Sequence, residues 1–343
     1  MKVQVAANHL DHWESLYRAD PDALPTQAPE WVAAAGATGR FEDASQRFDF
    51  GGSSFVLPAL RLRVAGRKTP VASSFPEAWG IGGLVGPGQT PEVIRAVVEQ
   101  LRAGGFKQVS VRPNPLHAHL WESAELSDVV TVDAHAHVVD LRSGADAVWD
   151  RFHSTKRRNV RRAERSELEI ECDTTGRLVG VFHGLLEQSF ERWAGQQREP
   201  AAVARWRGNR RDPISKFEAI AEALGDRCRI WVATQDGRPA ASLLVLQDRN
   251  SHYTRGAMDK ELAGPTRAND LLHWLAMKDA AAADCASYHM GATRLGSSLA
   301  RFKEGFGAEP VHSARYQIEQ WPLGRVDRAL RRAAKRVLRM DDA

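Results

Sequence analysis

The chain has 343 residues, of which 43% are hydrophobic and 26% are charged, and its net charge is +4. This composition is typical of a globular protein, and the length is typical of about two domains. No apolar run approaches the ~20 residues of a membrane helix, so no membrane span is predicted. The first residues lack an apolar signal core, and the three cysteines lie far apart without CxxC spacing. Both features predict a reducing, cytoplasmic location and exclude a disulfide framework or a zinc knuckle.

The first part of the chain alternates between short helices and extended segments. Helices are predicted over 8–19, 29–35, 91–103 and 116–123, and extended segments over 46–50, 54–64, 72–85, 107–112 and 129–141. Gly51-Gly52 predicts a hairpin turn between the first two strands. A loop, Gly86-Pro87-Gly88, leads into the helix that starts at Pro91, where Thr90 is the predicted cap.

The second part repeats this order. Strands are predicted over 168–171, 229–234, 240–247, 251–258, 287–291 and 311–320, and helices over 145–165, 178–196, 213–224 and from the Gly264-Pro265 loop to 283. The hairpin, the Gly-Pro loop and the strand before the last helix recur at an offset of roughly 180 residues, which favours a duplication. The polar, arginine-rich segment 197–212, which contains Trp206, is predicted to be a mobile active-site loop.

The segment Tyr288–Pro310 is predicted to contain a strand, a glycine loop, a short helix and a second glycine turn. Ser297-Ser298 can cap the helix, and Gly305 and Gly307 end it. The motif Phe302-Lys303-x-Gly305-Phe306-Gly307-Ala308 at this place resembles the closing motif of the FemABX-like acyltransferases, a branch of the GNAT superfamily. Trp13, Pro29-Glu30-Trp31 and the basic run 156–165 also look like that family.

The resemblance implies an α/β fold with two GNAT-like domains, each a mixed sheet flanked by helices. The expected parts are an N-terminal half (1–141), a C-terminal half with the closing motif (142–321) and a basic helical tail (322–343). It also implies an enzyme that transfers an acyl or aminoacyl group to an amine. The lysine of the motif lies at the reaction centre in this family, and the carbonyl of the preceding aromatic residue can accept a proton from the amine. By position these residues are Lys303 and Phe302.

No tightly bound cofactor is expected, and the acyl donor is a co-substrate, either aminoacyl-tRNA or acyl-CoA. GNAT enzymes hold acyl-CoA with a Gln/Arg-x-x-Gly-x-Gly/Ala loop before a helix, whose free N–H groups bind the pyrophosphate. Gly86, Gly88 and Thr90 stand at this place, but Gly83 replaces the first residue and Pro87 removes one donor. A tight loop with Thr90 as a helix cap explains the same residues. The second-half loop at Gly264 matches even less well, which favours aminoacyl-tRNA over acyl-CoA.

Other residues are weaker candidates. Asp259 follows a strand and is a candidate base, and Glu304 is the neighbour of Lys303. Tyr253 and Arg255 are predicted to share one strand face, where they either contact substrate or serve as a packed tyrosine and a surface arginine. His289 is predicted to be a core histidine. His135 and His137 share a strand face but lack further ligands, so no metal is predicted.

Two basic clusters indicate an anionic partner. One contains Lys156, Arg157, Arg158 and Arg161, followed by Arg162 and Arg165, and it is predicted to spread over more than one helix face. Its partners would be tRNA, a nucleotide-linked acceptor or CoA, unless it only pairs with Glu164, Glu167 and Glu169. The other cluster lies between Arg325 and Arg339.

Two further alternatives stay open at this point. The expected acceptor is an amine-bearing small molecule, a peptide or a cell-wall precursor, but no heptad repeat predicts the coiled-coil arm that cell-wall members of the family often carry. A function of another class, a non-catalytic GNAT-like protein that binds RNA or an anion, would use the same arginines.

Overall fold

The computed structural model describes residues 3–4, 10–196 and 200–320. The predicted basic tail and its arginine cluster therefore lie outside the described residues. The helices are α1 (Leu10–Ala19), α2 (Pro29–Ala37), α3 (Pro91–Ala103), α4 (Ala118–Ser123), α5 (Gly144–Arg151), α6 (Ser154–Glu164), α7 (Val179–Gln196), α8 (Ala201–Arg211), α9 (Ile214–Leu224), α10 (Lys260–Thr266), α11 (Ala268–Ala282) and α12 (Ser298–Glu304).

The strands run between these helices. They are β1 (Val3–Gln4), β2 (Phe41–Asp43), β3 (Gln46–Phe50), β4 (Ser53–Leu57), β5 (Leu60–Val64), β6 (Arg67–Ser74), β7 (Gln108–Val111), β8 (Val130–Asp140), β9 (Glu169–Asp173), β10 (Cys228–Gln235), β11 (Arg238–Gln247), β12 (Ser251–Met258), β13 (Ser287–Ala292) and β14 (Glu309–Glu319). The predicted α/β class, with a mixed sheet flanked by helices, is confirmed.

Several predicted elements differ from the structure. The strand predicted over 54–64 divides into β4 and β5, which belong to different sheets, and the strand at the start of the segment predicted over 72–85 ends at Ser74. The helix predicted over 145–165 divides into α5 and α6 at Phe152 and His153, whose backbones are extended. The predicted loop over 197–212 contains α8, because Ala204 and Gly208 are buried where α8 packs against α7. Gly264 and Pro265 lie inside α10 rather than in a loop before a helix.

Eleven strands form one continuous sheet in the order β2-β5-β6-β7-β14-β8-β13-β12-β11-β10-β9. The order is symmetric about the boundary between β14 and β8: β2, β5, β6, β7 and β14 on one side correspond to β10, β11, β12, β13 and β8 on the other, and β9 is an additional edge strand. Each half contains one parallel pair joined through helices, β6 with β7 and β12 with β13. Val71 pairs with Gln108, and Ser251 pairs with Tyr288, so both partners recur 180 residues later. This recurrence supports the predicted duplication.

The two halves exchange their last strands. β8 ends the first half but pairs with β13, and β14 ends the second half but pairs with β7. The exchanged strands also pair with each other along most of their length, from Glu309↔Val138 to Gln317↔Val130. The domain boundary after Leu141 remains a prediction, and the sheet runs through it.

One landmark of the predicted duplication was wrong. The hairpin of β3 and β4 belongs to a separate three-stranded sheet with β1. The counterpart of the β10–β11 hairpin is the antiparallel pair β2–β5, in which Phe41 lies opposite Leu62. The Gly51-Gly52 hairpin is thus an insertion between the two strands that the sheet repeats.

The second half of the sheet is buried on both faces. Leu244 and Leu246 of β11 point to a core that contains residues of α2, α7 and α9, whereas Leu243 and Val245 point to a core with residues of α11 and with Phe306. No helix in the described part of the chain is long and apolar enough to cross a membrane. Cys172, Cys228 and Cys285 are free thiols.

We predict opposite effects of alanine at two helical glycines. A Cβ at Gly208 of α8 would lie 2.3 Å from the ring of the buried Phe190, whereas a Cβ at Gly180 of α7 would meet nothing within 4 Å. Gly208→Ala should lower the free energy of unfolding by about 1–3 kcal/mol because the α7–α8 contact is overpacked. Gly180→Ala, the control, should raise it by up to about 1 kcal/mol through helix propensity. Urea denaturation measures both, and equal effects would contradict this packing.

Candidate active site

The candidate site lies where β12 and β13 separate. The two strands pair only at Ser251↔Tyr288 and His252↔His289. Beyond that point β12 continues along β11, while β13 turns to β8. The facing edges of the two strands then form no ladder with each other, which leaves a gap lined by backbone N–H and C=O groups.

The equivalent gap of the first half is closed. There β6 and β7 separate after Ser74, and the N–H groups of Gly82 and Gly83 bond to the carbonyl of Arg112 (2.9 Å) and to the hydroxyl of Ser74 (3.0 Å). A Cβ at Gly82 would lie 2.2 Å from that hydroxyl, so the backbone itself fills the space. Of the two repeated gaps, the one in the second half is the better candidate for a substrate.

Lys303 of α12 places its ammonium group at the second-half gap. The side chain is only 3% exposed, and Nζ donates to the carbonyl of Gly291 (3.0 Å) and to the hydroxyl of Thr293, both at the end of β13. Gly291 has a φ of +77°, a conformation that suits glycine, and it turns this end of β13. Burial lowers the pKa of Lys303 to about 8. Since an ammonium group has three N–H donors, one donor remains for a ligand.

The carbonyl of Phe302 is an unused acceptor. The N–H of Gly305 bonds to Arg301, and the N–H of Phe306 bonds to the carbonyl of Lys303 instead of Phe302. This change from an α to a 3₁₀ pattern leaves the Phe302 carbonyl without a hydrogen bond from the described residues. An acceptor without a hydrogen-bond partner on the residue before Lys303 is suited to receive a proton from an amine.

Two buried histidines lie at the closed end of the gap. The rings of His252 and His289 are 4.8 Å apart, and burial lowers the pKa of His252 to about 3 and that of His289 far below its ordinary value. The Nδ1 atom of His289 accepts the N–H of Gly291 (3.1 Å), which fixes the turn that faces Lys303. His289 is thus the buried histidine that the sequence predicted, and neither ring is charged near neutral pH.

The prediction that Tyr253 and Arg255 share one face is wrong. A β-bulge places Tyr253 opposite Val245 and Arg255 opposite Leu244, and those two β11 residues point to opposite faces. The extra residue of the bulge, Thr254, reverses the alternation. Tyr253 packs on the ring of His273 at 4.7 Å, while Arg255 lies on the other face.

Arg255 belongs to an ion network around Asp212, a carboxylate with no exposed surface. Asp212 accepts from Arg255 (3.2 Å), Lys216 (2.7 Å) and Arg211 (2.8 Å). Although burial raises the pKa of Asp212, these charges hold it well below its ordinary value. The Lys216 ammonium lies 4.6 Å from the ring centroid of Trp79, so the network joins α8 and α9 to the first half. A bound substrate therefore meets an Arg255 that already has a partner.

Asp259 has a structural role in the observed fold. Its carboxylate accepts from the N–H groups of Glu261 (2.9 Å) and Leu262 (3.4 Å) and so caps α10. It lines an open pocket of about 510 Å³ together with Gln188, Arg192, Met258, Lys260 and Glu261. A helix N-terminus that its own carboxylate caps, with Glu261 in its first turn, is a poor place for a donor phosphate.

The candidate phosphate loop is also engaged internally. The N–H of Gly86 donates to the carboxylate of Asp20 (3.0 Å), and the side chain of Thr90 caps α3 by accepting from Val93 (3.4 Å). Gly88 has a φ of +76° and forms the turn. A buried carboxylate beside this loop opposes an anion, so the structure favours the tight-loop alternative that the sequence left open.

The basic run around Lys156 also differs from the prediction. The ammonium of Lys156 is buried against the carboxylate of Asp270 and lies 3.6 Å from the ring centroid of Phe302. Arg157 donates to the carbonyls of Asp150 (2.9 Å) and Phe152 (2.8 Å) at the end of α5. These two residues therefore hold α6 in place, while Arg158 and Arg161 remain exposed.

A basic groove of about 470 Å³ lies between α8 and the first half of the sheet. Four arginines and one glutamate line it, together with aromatic and aliphatic side chains: Arg40, Phe41, Leu60, Leu62, Val71, Ala72, Ser73, Pro76, Glu77, Trp79, Trp206, Arg207, Arg210 and Arg211. Trp206 is 64% exposed, and Arg210 lies 5.6 Å from its ring centroid. Burial and the charge of Arg210 lower the pKa of Arg40. This groove suits an anionic ligand with a flat or apolar part.

The two histidines of β8 have different neighbours. His137 lies 3.5 Å from Glu304, and the ring of His135 packs on that of His312 at 5.1 Å. Elsewhere in the described ranges, Asp20, Asp22 and His117 bring ligand atoms within 4.8 Å of one another. Both carboxylate oxygens of Asp20 already accept backbone N–H groups, from Asp22 (3.0 Å) and Gly86 (3.0 Å). These hydrogen bonds are therefore sufficient to explain why Asp20, Asp22 and His117 lie close together.

Lys303 and Phe302 remain predicted site residues, and sequence reasoning missed the residues that hold them. Gly291 and Thr293 fix the ammonium, His252 closes the gap, and Asp212 holds Arg255. A glycine at the end of a predicted strand, as at Gly291, was the one available signal for a turn. The partners of Arg255 and Lys156 lie 43 and 114 residues away, and no local pattern indicates them.

Comparisons with known proteins agree with this architecture. Residues 150–304 match the family model of the GNAT acetyltransferase domain. The crystal structure of FemX is similar with a TM-score of 0.66 at 13% identity, over 93% of this chain and 97% of that chain. The C-terminal domain of a putative lysylphosphatidylglycerol synthetase from Agrobacterium fabrum gives 0.51 at 15% identity, over 91% and 92%.

A third similar structure is that of L-PGS from Bacillus licheniformis, with a TM-score of 0.51 at 12% identity, over 96% of this chain and 97% of that chain. At such low identities these likenesses establish the fold. No curated protein sequence matches the chain.

Proposed function

We propose that this chain is an acyltransferase that transfers an aminoacyl group from aminoacyl-tRNA to the amine of an anionic acceptor, because residues 150–304 match the GNAT acetyltransferase domain and the fold is similar to that of FemX. The carrying observation is the buried ammonium of Lys303 at the gap between β12 and β13. An ammonium held by two internal acceptors is preorganised to stabilise a developing oxyanion with its third N–H donor.

The reaction forms an amide bond and breaks an ester bond. The neutral amine attacks the ester carbonyl, and the negative charge that develops on the carbonyl oxygen faces the Lys303 ammonium. The amine loses a proton to the Phe302 carbonyl, which no described residue engages. As the tetrahedral intermediate collapses, the ribose oxygen leaves and takes up that proton. His252 and His289 are weak bases, because burial lowers the pKa of both rings well below the ordinary value.

The donor argument rests on two helix N-termini. Asp259 caps α10, and Asp20 engages the loop before α3, so neither place offers free N–H groups to the pyrophosphate of CoA. The name of one similar structure, a putative lysylphosphatidylglycerol synthetase, also denotes a protein that handles a lysyl group. Acyl-CoA is the second candidate donor, because the matching family model is that of an acetyltransferase domain.

The acceptor argument rests on the basic groove. Four arginines against one glutamate favour an acceptor that carries phosphate or carboxylate groups, and Trp206 offers a surface for stacking. An anionic peptide and a phosphorylated cell-wall precursor both have an amine and the required charge. The reaction is placed in the cytoplasm, where charged tRNA occurs.

We predict that transfer depends on RNA and on Lys303. The purified protein is incubated with amine acceptors and either charged tRNA or acetyl-CoA, each with and without RNase. RNase should abolish transfer. Lys303→Met should lower kcat by roughly 10²–10³, which is the usual effect of losing an oxyanion donor, while Lys278→Met, an exposed lysine on α11, should leave kcat unchanged.

RNase-resistant transfer from acetyl-CoA would replace aminoacyl-tRNA by acyl-CoA as the donor. A Lys303→Met variant that keeps its rate within threefold would remove Lys303 from the mechanism. No transfer from either donor, with retained RNA binding, would favour the non-catalytic alternative.

The pKa of Lys303 sets a pH limit. Its pKa is lowered from 10.5 to about 8, so the required ammonium is present below pH 8 and is lost above it. We therefore expect kcat/KM to fall above pH 8 with a slope of one proton. Lys303→Arg keeps its charge throughout this range, and any activity it retains should lack the alkaline fall. The same fall in Lys303→Arg would assign the titration to another group.

The groove is tested with paired acceptors that share an amine and differ in charge, such as ethanolamine and O-phosphoethanolamine. Arg207→Ala/Arg210→Ala should lower kcat/KM for the anionic member about tenfold or more, because each charge-assisted hydrogen bond is worth about 1.5–3 kcal/mol, and should not affect the neutral member. Arg205→Ala is the control, because Arg205 lies on the same helix, pairs with Glu191 and does not line the groove. Equal losses for both acceptors would exclude a role in charge recognition.

A further inference from the structure

Three arginines of α6 and Arg165, the residue that caps its C-terminal end, form one exposed face. Arg158, Arg161, Arg162 and Arg165 stand at positions i, i+3, i+4 and i+7, and all four are exposed. Residues with this spacing lie on one side of a helix, whereas Arg157, which the predicted spread over more than one face also included, turns to the end of α5. The row extends for about 10 Å along the helix at 1.5 Å per residue.

The opposite face of α6 is fixed in the structure. Val160 and Ala163 pack with Leu271 of α11, and Lys156 and Asn159 both reach the carboxylate of Asp270. The arginine row is therefore presented by a helix whose position does not depend on a ligand. A rigid support of this kind lowers the entropy cost of binding.

The arginines of this row lack acidic partners. Among the described residues none of the four forms an ion pair, although Glu164 lies on the same helix, and Arg161 only approaches the ring of Trp149 at 5.7 Å. Four unneutralised guanidinium groups within about 10 Å suit a regular series of phosphates, because a nucleic acid duplex carries about one charge per 1.7 Å of axis.

The row lies beside the candidate active site. Lys156, on the inner side of the same helix, is 3.6 Å from the ring centroid of Phe302, the residue before Lys303. A polymer that follows α6 can therefore extend its end toward the gap between β12 and β13. The exposed face of α6 carries no large apolar side chain, which a helix that lies on a membrane would need.

We propose that the arginine face of α6 binds the phosphate backbone of the tRNA donor and directs its aminoacylated end to Lys303. This inference rests on the proposed function for the identity of the donor. The bound partner is RNA, recognised by the charge of its backbone and not by its sequence.

The first test uses uncharged total tRNA as the probe and measures the Kd between 50 and 300 mM KCl. Arg158→Ala/Arg162→Ala should raise the Kd about tenfold or more and reduce the slope of log Kd against log salt by about 2, since each phosphate contact contributes about 0.9. The matched control is Arg18→Ala/Arg95→Ala, which removes two exposed helix arginines of the first half. It should keep the Kd within twofold, and thermal melting checks that both variants are folded.

The second test is transfer from charged tRNA. The α6 double variant should raise the KM for charged tRNA and keep kcat, and it should use an aminoacyl ester of adenosine, which lacks the RNA backbone, as well as the unmodified protein does. If the Kd and the salt slope are unchanged in the α6 double variant, the proposal that α6 binds RNA is wrong, even if transfer from tRNA occurs. A different result is that the double variant loses tRNA binding while the unmodified protein transfers nothing from charged tRNA. That result would support RNA binding by α6 and would reject aminoacyl-tRNA as the donor.

Discussion

The separation of β12 from β13 is the constraint on which the rest of the site depends. Two parallel strands that pair at only two positions leave an opening inside a large sheet. The opening persists because β8 occupies the other edge of β13 and β11 occupies the other edge of β12. Burying an ammonium group at this place is costly, and the acceptors at Gly291 and Thr293 offset part of that cost. The same burial keeps water away from the ammonium group. Its attraction for an oxyanion is therefore screened less than it would be at the surface.

The charged residues around the opening form a buried group and an exposed group, which have different roles. Lys156, Lys216 and Asp212 are buried and paired, and they fix α6, α8 and α9 around the sheet. The arginines that line the groove and those along α6 lie farther out, where they can meet anions. Buried pairs of this kind add specificity of position more than stability. The two exposed basic surfaces lie on different elements, which suits a reaction with two anionic substrates.

The sequence predicts the location of the site better than its construction. The Phe302-Lys303 motif identifies the ammonium and the unused carbonyl, and simple signals such as Thr90 before Pro91 locate helix starts. The errors have physical reasons. The bulge at Thr254 changes the face of Arg255 without a glycine or proline to mark it, and Asp270 neutralises Lys156 from a distant helix. An arginine-rich segment with few apolar residues looked like a loop, but α8 is stabilised by packing on α7 that no local pattern contains.

The exchanged strands have a consequence for how such a protein can arise. Ser313 pairs with Ala134, which is within one residue of its counterpart in the other copy of the repeat, so an approximate dyad passes between β14 and β8. A single ancestral copy with this topology would expose two unpaired edges and would be complete only as an intertwined dimer. Fusion of two such genes would have joined the two copies in one chain. The gap of the first half could then be closed by its own backbone, while the gap of the second half retained a lysine.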